Sequence, residues 1–434
     1  MPGDAGESGS RAREVAVRIV RALRDAGHEA YFAGGCVRDE LLGIAPKDYD
    51  VATSAEPDTV VGIFPKTKVV GKIFGVVPVR SGGITVEVAT FRRESGYSDR
   101  RRPDSVEFAD AQADALRRDF TINALYIDPL ETSDAEPGGR VIDLVGGVED
   151  LRAGIVRAVG SPDERLKEDD LRALRAVRFA ARFGFEIERG TRDAIVRHAG
   201  ELVGVSRERF GDELRRMLGH SSRARAIELM HDLAIDGPVL DDGRRGDGGA
   251  RLVARLPESS GWITALAGWL VERICPGASG ASRAGALQAK GHACLARVRG
   301  ALCLTNDEAE ALRAIVRALI DLETGWLERD AAHQRRCCGA ARWSTYEGAC
   351  DLLRADDASL AAAVRSRREE LARTPPGLDP RPLLDGGALI DAGHVPGPMF
   401  GKWLENVLDA QLRGEIETRE EALALIERLR GGGA

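Results

Sequence analysis

Two aspartates that follow a pair of glycines place the strongest constraint on how this chain can fold. A short apolar run, Tyr31–Ala33, ends at Gly34-Gly35, and a later strand-like run carries Asp48 and Asp50. Residues i and i+2 of a strand point to the same face of a sheet, so the two carboxylates project together. Their charges repel each other unless a divalent cation lies between them. The spacing therefore predicts a metal site.

The paired glycines predict a phosphate site beside these acids. Glycines that open a helix let backbone N–H groups approach a ligand closely, and such groups suit a triphosphate. Each piece alone has an ordinary explanation, because an isolated Asp-x-Asp is usually a solvated turn and Gly-Gly is usually a plain turn. Found together in this order within about twenty residues, they indicate nucleotidyl transfer.

Composition limits the class of protein. The 434 residues are enough for two to four domains with ample core. A formal net charge of −7 argues against a uniformly basic surface, but a local arginine-lined surface remains compatible with RNA binding. The seven cysteines form no CxxC pair, which favours reduced thiols. No apolar run reaches membrane-spanning length and residues 1–10 are not signal-like, so we predict a soluble, cytoplasmic protein without membrane partners.

The pattern along the chain predicts an α/β head followed by helices. The expected strands are Glu29–Ala33, Asp48–Ala52, Lys68–Val70, Val76–Arg80, Ile84–Phe91, Val106–Phe108 and Ala124–Ile127. From Ser161, a probable N-cap followed by Pro162, one helix is expected to run to Gly184. The predicted parts are a disordered N-terminus (1–10), a head (11–150), a helical neck (151–220), a helical body (221–373), a linker (374–387) and a helical tail (388–434).

Several ordered motifs carry a resemblance to a known family. Gly34-Gly35-x-Val37-Arg38-Asp39, Leu42-Gly43 and Asp48-Tyr49-Asp50-Val51-x-Thr53 resemble the class II tRNA nucleotidyltransferases (CCA-adding enzymes) and bacterial poly(A) polymerases. The resemblance implies a polymerase-β-like α/β nucleotidyltransferase head followed by an all-α neck, body and tail. Asp48 and Asp50 would hold Mg²⁺. Arg38 is a candidate phosphate ligand, with pairing to Asp39 as its alternative role.

Glu87 is the candidate third acid of this site. In the run Ile84–Ala89, apolar residues alternate so that Glu87 faces away from Val86 and Val88. An outward-facing glutamate on an edge strand is the ordinary explanation. In the resembling family an acid in a Glu-Val-x-Thr-Phe-Arg setting joins the metal site, which implies a catalytic role for Glu87.

A second signature, RRDFTINA, covers residues 117–124. Two arginines, an acid and an asparagine before an apolar run are also compatible with ordinary helix capping. The whole string resembles the family's ribose- and phosphate-recognition motif. By that resemblance Arg118 contacts the nucleotide, and Asp119 and Asn123 fix the sugar or its loop.

A third signature, Glu168-Asp169-Asp170-Leu171-Arg172, begins a run of arginines that continues with Arg175, Arg178 and Arg182. A solvated helix face with ion pairs is the usual fate of such charge. However, an aspartate accepts from the exocyclic amino group that cytosine and adenine share, and an arginine donates to ring acceptors. The resemblance gives base selection to Asp169 and Arg172, with Arg175 and Arg178 as supporting nucleotide contacts. The segment Val205–Leu214 resembles the next family motif, a structural helix start.

The resemblance implies addition of C, C and A to the 3′ end of tRNA from CTP and ATP, by attack of the RNA 3′-hydroxyl on the α-phosphate. Within the family, A-adding and CC-adding enzymes and poly(A) polymerases share the same head. The segment 71–76 carries only Lys72 as a basic residue, which resembles the tRNA-directed form, and the intact charged loop 92–103 disfavours a CC-only enzyme. A-adding specificity stays open. An inert RNA-binding protein is the alternative from another class, and the oligomeric state stays open.

Overall fold

The computed structural model describes residues 4–65, 75–96, 105–204, 206–243 and 249–431. The predicted strand at 68–70, Lys72 and most of the charged loop therefore lie outside the described residues. Within the described part of the chain, the strands are β1 (Ala30–Ala33), β2 (Asp50–Thr53), β3 (Val76–Ser81), β4 (Ile84–Thr90), β5 (Arg92–Ser95), β6 (Ser105–Phe108), β7 (Leu125–Asp128), β8 (Arg140–Asp143), β9 (Ile155–Val156) and β10 (Glu186–Ile187).

The helices occupy most of the chain after the sheet. They are α1 (Asp4–Asp25), α2 (Gly35–Leu41), α3 (Pro57–Ile63), α4 (Ala111–Leu116), α5 (Gly147–Ala153), α6 (Pro162–Glu168), α7 (Leu171–Phe183), α8 (Arg189–His198), α9 (Arg207–Leu218), α10 (Arg223–Asp232), α11 (Asp236–Leu240), α12 (Arg251–Ala254), α13 (Trp262–Ile274), α14 (Gly280–Ala301), α15 (Asn306–Glu323), α16 (Ala331–Cys338), α17 (Ala340–Leu353), α18 (Ala358–Arg373), α19 (Gly386–Asp391), α20 (Met399–Arg413) and α21 (Arg419–Gly431). None of the described helices combines the length and apolar character that a membrane crossing requires.

The head is built on a six-stranded mixed sheet in the order β3-β4-β2-β1-β7-β8. β2 and β4 run parallel, and the other neighbouring pairs are antiparallel. Alternate residues of β4, Val86 and Val88, are buried while Glu87 is exposed, as the sequence predicted. β4 therefore buries one face in the core and leaves the other available for polar side chains, whereas β1 and β7 are buried on both faces.

Several element boundaries differ from the predicted ones. Helix α1 extends back to Asp4, into the segment 1–10 predicted to be disordered, since adding a turn to an existing amphipathic helix is cheaper than nucleating one. Strand β5 begins at Arg92, in a segment predicted to be a loop, and pairs with β6. β8 was not predicted because a short edge strand next to a polar loop gives little hydrophobic alternation.

The helix predicted from Ser161 to Gly184 is broken in the middle. Ser161 caps α6 as expected and Gly184, at φ 69°, ends α7. Between them Asp169 is extended (φ −154°, ψ 101°), and its Oδ1 accepts the backbone N–H of Leu171 at 3.1 Å. An aspartate side chain that bonds nearby backbone competes with the helical hydrogen bonds. The break turns Asp169 into a residue of a junction between two helices.

The chain divides into two compact units, residues 1–213 with 229–245, and residues 214–228 with 246–434. The first contains the sheet and the helices of the predicted head and neck. In the second, the predicted tail has its own core, which includes Leu389, Val407 and Ile426. The predicted linker is held by hydrogen bonds, because the Arg335 guanidinium donates to the carbonyls of Pro375 (2.9 Å) and Leu412 (2.6 Å).

Candidate active site

Three acids lie at the neighbouring strands β2 and β4, in the interior of the sheet. The register places Asp50 directly beside Glu87. β2 begins at Asp50, two residues later than predicted, so Asp48 lies in the bend that precedes the strand. The intervening Tyr49 is buried while Asp48 and Asp50 are exposed. The two aspartates therefore both avoid the buried face on which Tyr49 lies.

The electrostatics of Asp50 reflect this crowding. Desolvation is the largest cause that raises its pKa, to about 6, and the charges of Glu87 and Asp48 act in the same direction. Water reaches the Asp50 carboxylate, but protein fills much of the volume around it, which disfavours the charged form. The positive charge of Arg118 opposes the shift. A cation bound beside Asp50 would act in the same direction as Arg118.

The three acids provide hard oxygen ligands, which is the chemistry that Mg²⁺ requires. Among the described residues, the trio of metal-ligand side chains with donor atoms all within 4.8 Å of one another lies elsewhere, at Asp321, His333 and Cys337. The oxygens of the three head acids are thus more widely spaced, as mutual repulsion favours. The donor set fits a divalent cation.

Gly34 brings the glycine motif against the second signature. It precedes α2 with φ 75° and ψ −125°, a conformation that favours glycine. A Cβ atom at Gly34 would lie 2.9 Å from Nη1 of Arg118. The Arg118 guanidinium therefore lies against the backbone of the Gly34 turn and within electrostatic reach of Asp50.

Arg118 is held in place by an acid that the sequence interpretation missed. Nε and Nη2 of Arg118 donate to Oδ2 of the buried Asp114 at 3.2 and 3.0 Å, and Nη1 donates to the carbonyl of Asn123 at 3.1 Å. The Tyr126 hydroxyl donates to the same Asp114 oxygen at 2.8 Å. The four-residue spacing between Asp114 and Arg118, typical of a helical ion pair, was the available signal.

Asp119 and Asn123 form a polar connection between the head and α7. Asn123 Nδ2 donates to Asp119 Oδ1 at 3.0 Å, and Arg175 Nε donates to Asp119 Oδ2 at 2.8 Å. Burial alone would raise the pKa of Asp119, but the charge of Arg175 and the hydrogen bond from Asn123 outweigh it and lower the pKa to about 2. Asp119 is therefore a carboxylate at neutral pH, and it is fixed in the segment between α4 and β7 that also carries Arg118.

Arg38 lies in the interior of this network. Its exposed fraction is 4%, its Nη2 donates to Asp39 Oδ1 at 2.6 Å, and its Nη1 donates to Asn123 Oδ1 at 2.5 Å. The guanidinium also lies over the rings of Phe179 and Phe183, 5.0 and 4.7 Å from their centroids. Arg38 therefore pairs with Asp39, which was the alternative to phosphate binding that the sequence offered. Arg38 braces the loop, and phosphate contact stays a prediction.

The arginines of α7 point to acids on other elements rather than to solvent. The side chain of Asp169 does not pair with that of Arg172, the other residue that the resemblance assigns to base selection. Arg172 Nη1 instead donates to Glu168 Oε2 at 2.7 Å, and Asp169 is bound by Arg209. The remaining arginines pair across elements: Arg175 with Asp119, Arg178 with Glu213, and Arg182 with Asp39. Neither Arg209 nor Glu213 was expected to reach the site, because both lie in the segment interpreted as structural.

Comparisons with known proteins agree with this arrangement. A model described as "Poly A polymerase head domain" matches residues 30–157, and one described as "Probable RNA and SrmB- binding site of polymerase A" matches residues 184–238. The CCA-adding enzyme of Limosilactobacillus fermentum is 34% identical over 412 residues, 93% of this chain and 95% of that protein.

Two further relatives are informative. The CCA-adding enzyme of Geobacillus kaustophilus is 42% identical over 223 residues, which are 51% of this chain and 53% of that protein, so the matched region spans about half the length of that relative. The crystal structure of the Bacillus stearothermophilus CCA-adding enzyme in complex with CTP matches 96% of this chain and 98% of its own, with 29% identity and a TM-score of 0.71.

Replacing Asp50 by asparagine is expected to stabilise the metal-free protein at neutral pH. Because the pKa of Asp50 is raised to about 6, its charge is unfavourable above that pH, and the penalty disappears as pH falls towards the ordinary value of about 3.9. Allowing for solvent screening, we expect Asp50→Asn to raise the Tm by roughly 2–4 °C at pH 7.5 in EDTA and not at all below about pH 4. Glu107→Gln, at an exposed acid of β6, is the matched control in calorimetry. An equal shift in both variants would contradict the account.

Replacing Gly34 by alanine is expected to destabilise the head. The left-handed φ and the approach to Arg118 together cost roughly 1–3 kcal/mol. Gly35→Ala is the matched control, since its Cβ would lie 3.7 Å from Nη2 of Arg38, an ordinary van der Waals distance. Urea unfolding measures the difference, and equal stability of the two variants would show that the Gly34 conformation is not required.

Proposed function

Because this chain belongs to the family of the CCA-adding enzymes, we propose that it adds C, C and A to the 3′ end of tRNA. CTP and ATP are the substrates, and no nucleic-acid template is used. The 3′-hydroxyl of the RNA attacks the α-phosphate in line, and pyrophosphate leaves. The observation that carries the proposal is the pairing of Asp50 with Glu87 in the sheet, with Arg118 lying against the Gly34 turn.

The three acids at β2 and β4 would bind the metal. We assign Asp48 and Asp50 as Mg²⁺ ligands and Glu87 as the third acid. When bound, Mg²⁺ lowers the pKa of the attacking hydroxyl and stabilises charge on the triphosphate. The raised pKa of Asp50 supports this assignment, since a site that disfavours a third negative charge gains most from a cation.

Other residues would bind the nucleotide. Arg118, fixed by Asp114, provides positive charge where phosphates approach the Gly34-Gly35 turn. Asp119 and Asn123 hold the loop that carries Arg118. They would therefore influence binding of the sugar indirectly, through the position of that loop. Such preorganised charge needs no rearrangement as the reaction proceeds.

Base selection is assigned to the junction at Asp169. A carboxylate only accepts hydrogen bonds, and cytosine and adenine each present an amino group where uracil and guanine present a carbonyl oxygen. Arg172 would donate to the ring acceptors, and Arg175 and Arg178 would support the nucleotide. Since Arg172 is bonded to Glu168 here, its contact with a base requires that this pair separates or shares the guanidinium.

Replacing Asp48 by alanine is expected to abolish nucleotide addition with the fold intact. The test uses tRNA without its terminal CCA, Mg²⁺ and single labelled nucleotides. For the unaltered protein, CTP and then ATP should be incorporated, with a halt after three residues. ATP alone added to tRNA ending in CC would indicate an A-adding enzyme, and long A tails a polymerase. Glu107→Ala, at an exposed acid of β6, is the control; turnover retained by Asp48→Ala would remove the metal assignment.

Replacing Asp169 by alanine is expected to loosen base choice more than it slows chemistry. The loss of one charged acceptor should reduce discrimination between CTP and UTP by about tenfold to a hundredfold, the effect of a hydrogen bond to a charged group. Misincorporation of UTP and GTP is measured beside the rate of CTP addition. Unchanged selectivity would refute the role of Asp169.

A further inference from the structure

The ion pair between Asp169 and Arg209 is the feature that the assignments above leave unexplained. Arg209 Nη1 donates to Asp169 Oδ1 at 3.0 Å, and Nη2 donates to Oδ2 at 2.6 Å. The two side chains are largely buried, with exposed fractions of 24% for Arg209 and 17% for Asp169. A two-pronged contact of this kind fixes the orientation of the carboxylate as well as its position.

The hydrogen bonds to Asp169 leave part of its acceptor capacity unused. Each carboxylate oxygen can accept about two hydrogen bonds. Oδ1 accepts both the backbone N–H of Leu171, at 3.1 Å, and Nη1 of Arg209. Oδ2 accepts Nη2 of Arg209. Among the contacts of the described residues, this leaves acceptor capacity on Oδ2 alone. The carboxylate is thus held with a single oxygen able to receive a further donor.

Arg172 cannot provide this orientation in the arrangement observed. Its guanidinium donates to Glu168 Oε2 and to the carbonyl of Arg165 at 3.1 Å. Asp169 lies at the break between α6 and α7, where its backbone is extended. Its side chain is held by the Leu171 N–H on Oδ1 and by the Arg209 guanidinium on both oxygens. Arg209, which comes from α9, is therefore the residue that sets where Oδ2 points.

We propose that Arg209 is a positioning residue for base selection, which directs the remaining acceptor of Asp169 towards the exocyclic amino group of cytosine or adenine. This inference rests on the function proposed above and extends it to a residue in a segment interpreted as purely structural. Without Arg209 the carboxylate can rotate, and the distinction between an amino group and a carbonyl oxygen weakens. The chemistry at Asp48 and Asp50 stays in place.

The test measures CTP and UTP addition to tRNA that lacks CCA, and ATP and GTP addition to tRNA ending in CC, under single turnover. Arg209→Ala should lower the CTP-over-UTP ratio by about tenfold or more. The CTP-over-UTP ratio of Arg209→Lys should lie between those of Arg209→Ala and the unaltered protein, because an ammonium is a point charge without the planar guanidinium fork. The control is Arg207→Ala on the same helix, where Arg207 donates to the carbonyl of Pro238 at 3.0 Å. Its selectivity should equal that of the unaltered protein.

A double variant separates positioning from an independent contact with the base. If Arg209 acts through Asp169, Asp169→Ala with Arg209→Ala should be no less selective than Asp169→Ala alone, whereas effects that multiply would overturn the proposal. Full selectivity in Arg209→Ala, or in Arg209→Lys, would also overturn it.

The unaltered protein shows which idea has failed. If it adds C and A selectively and Arg209→Ala does so equally well, only the inference about Arg209 falls. If it adds no nucleotide to tRNA, the proposed function falls and the inference falls with it. Thermal unfolding of each variant checks that lost selectivity does not reflect a lost fold.

Discussion

Repulsion among acids on two neighbouring strands of the sheet is the constraint on which the site depends. The parallel register of β2 and β4 places Asp50 beside Glu87, and Asp48 adds a third negative charge nearby. A fold gains nothing from concentrating carboxylates in this way: desolvation first, and then the charges of Glu87 and Asp48, raise the pKa of Asp50. Positive charge opposes this shift, partly from Arg118 and, in our proposal, from a divalent cation. Binding and catalysis then use the same imbalance of charge.

A second feature, the arginine-rich helix α7, connects this site to the helices that follow. Its cations pair with acids from separate elements, including Asp119 of the head and Glu213 of α9. Such partly buried pairs stabilise little overall, but removal of one member leaves a charge without compensation. The pairs therefore fix the position of α7 more than they add stability. Base selection, as proposed, depends on that position because Asp169 immediately precedes α7.

Short motifs with strict spacing could be interpreted from the sequence, and long-range partners could not. The alternation around Tyr49 and Val88 correctly predicted which side chains avoid the core, because strand periodicity is local. The pairing of Asp169 with Arg209, forty residues apart, has no local signal. Nor does local spacing show that Arg172, the other residue assigned to base selection, binds Glu168 while the helix breaks at Asp169; its contact with a base stays a prediction.

The sequence by itself determined the family, the α/β head followed by helices, and the acids and glycines to which we assign the chemistry, since these depend on residue type and near-neighbour spacing. Tertiary structure decided which charges meet. It buried Arg38 against aromatic rings, and it paired Asp114 with Arg118 and Asp169 with Arg209. The physical reason is that an ion pair depends on where two distant backbones come together, and charge alone does not select among the many arginines of this chain.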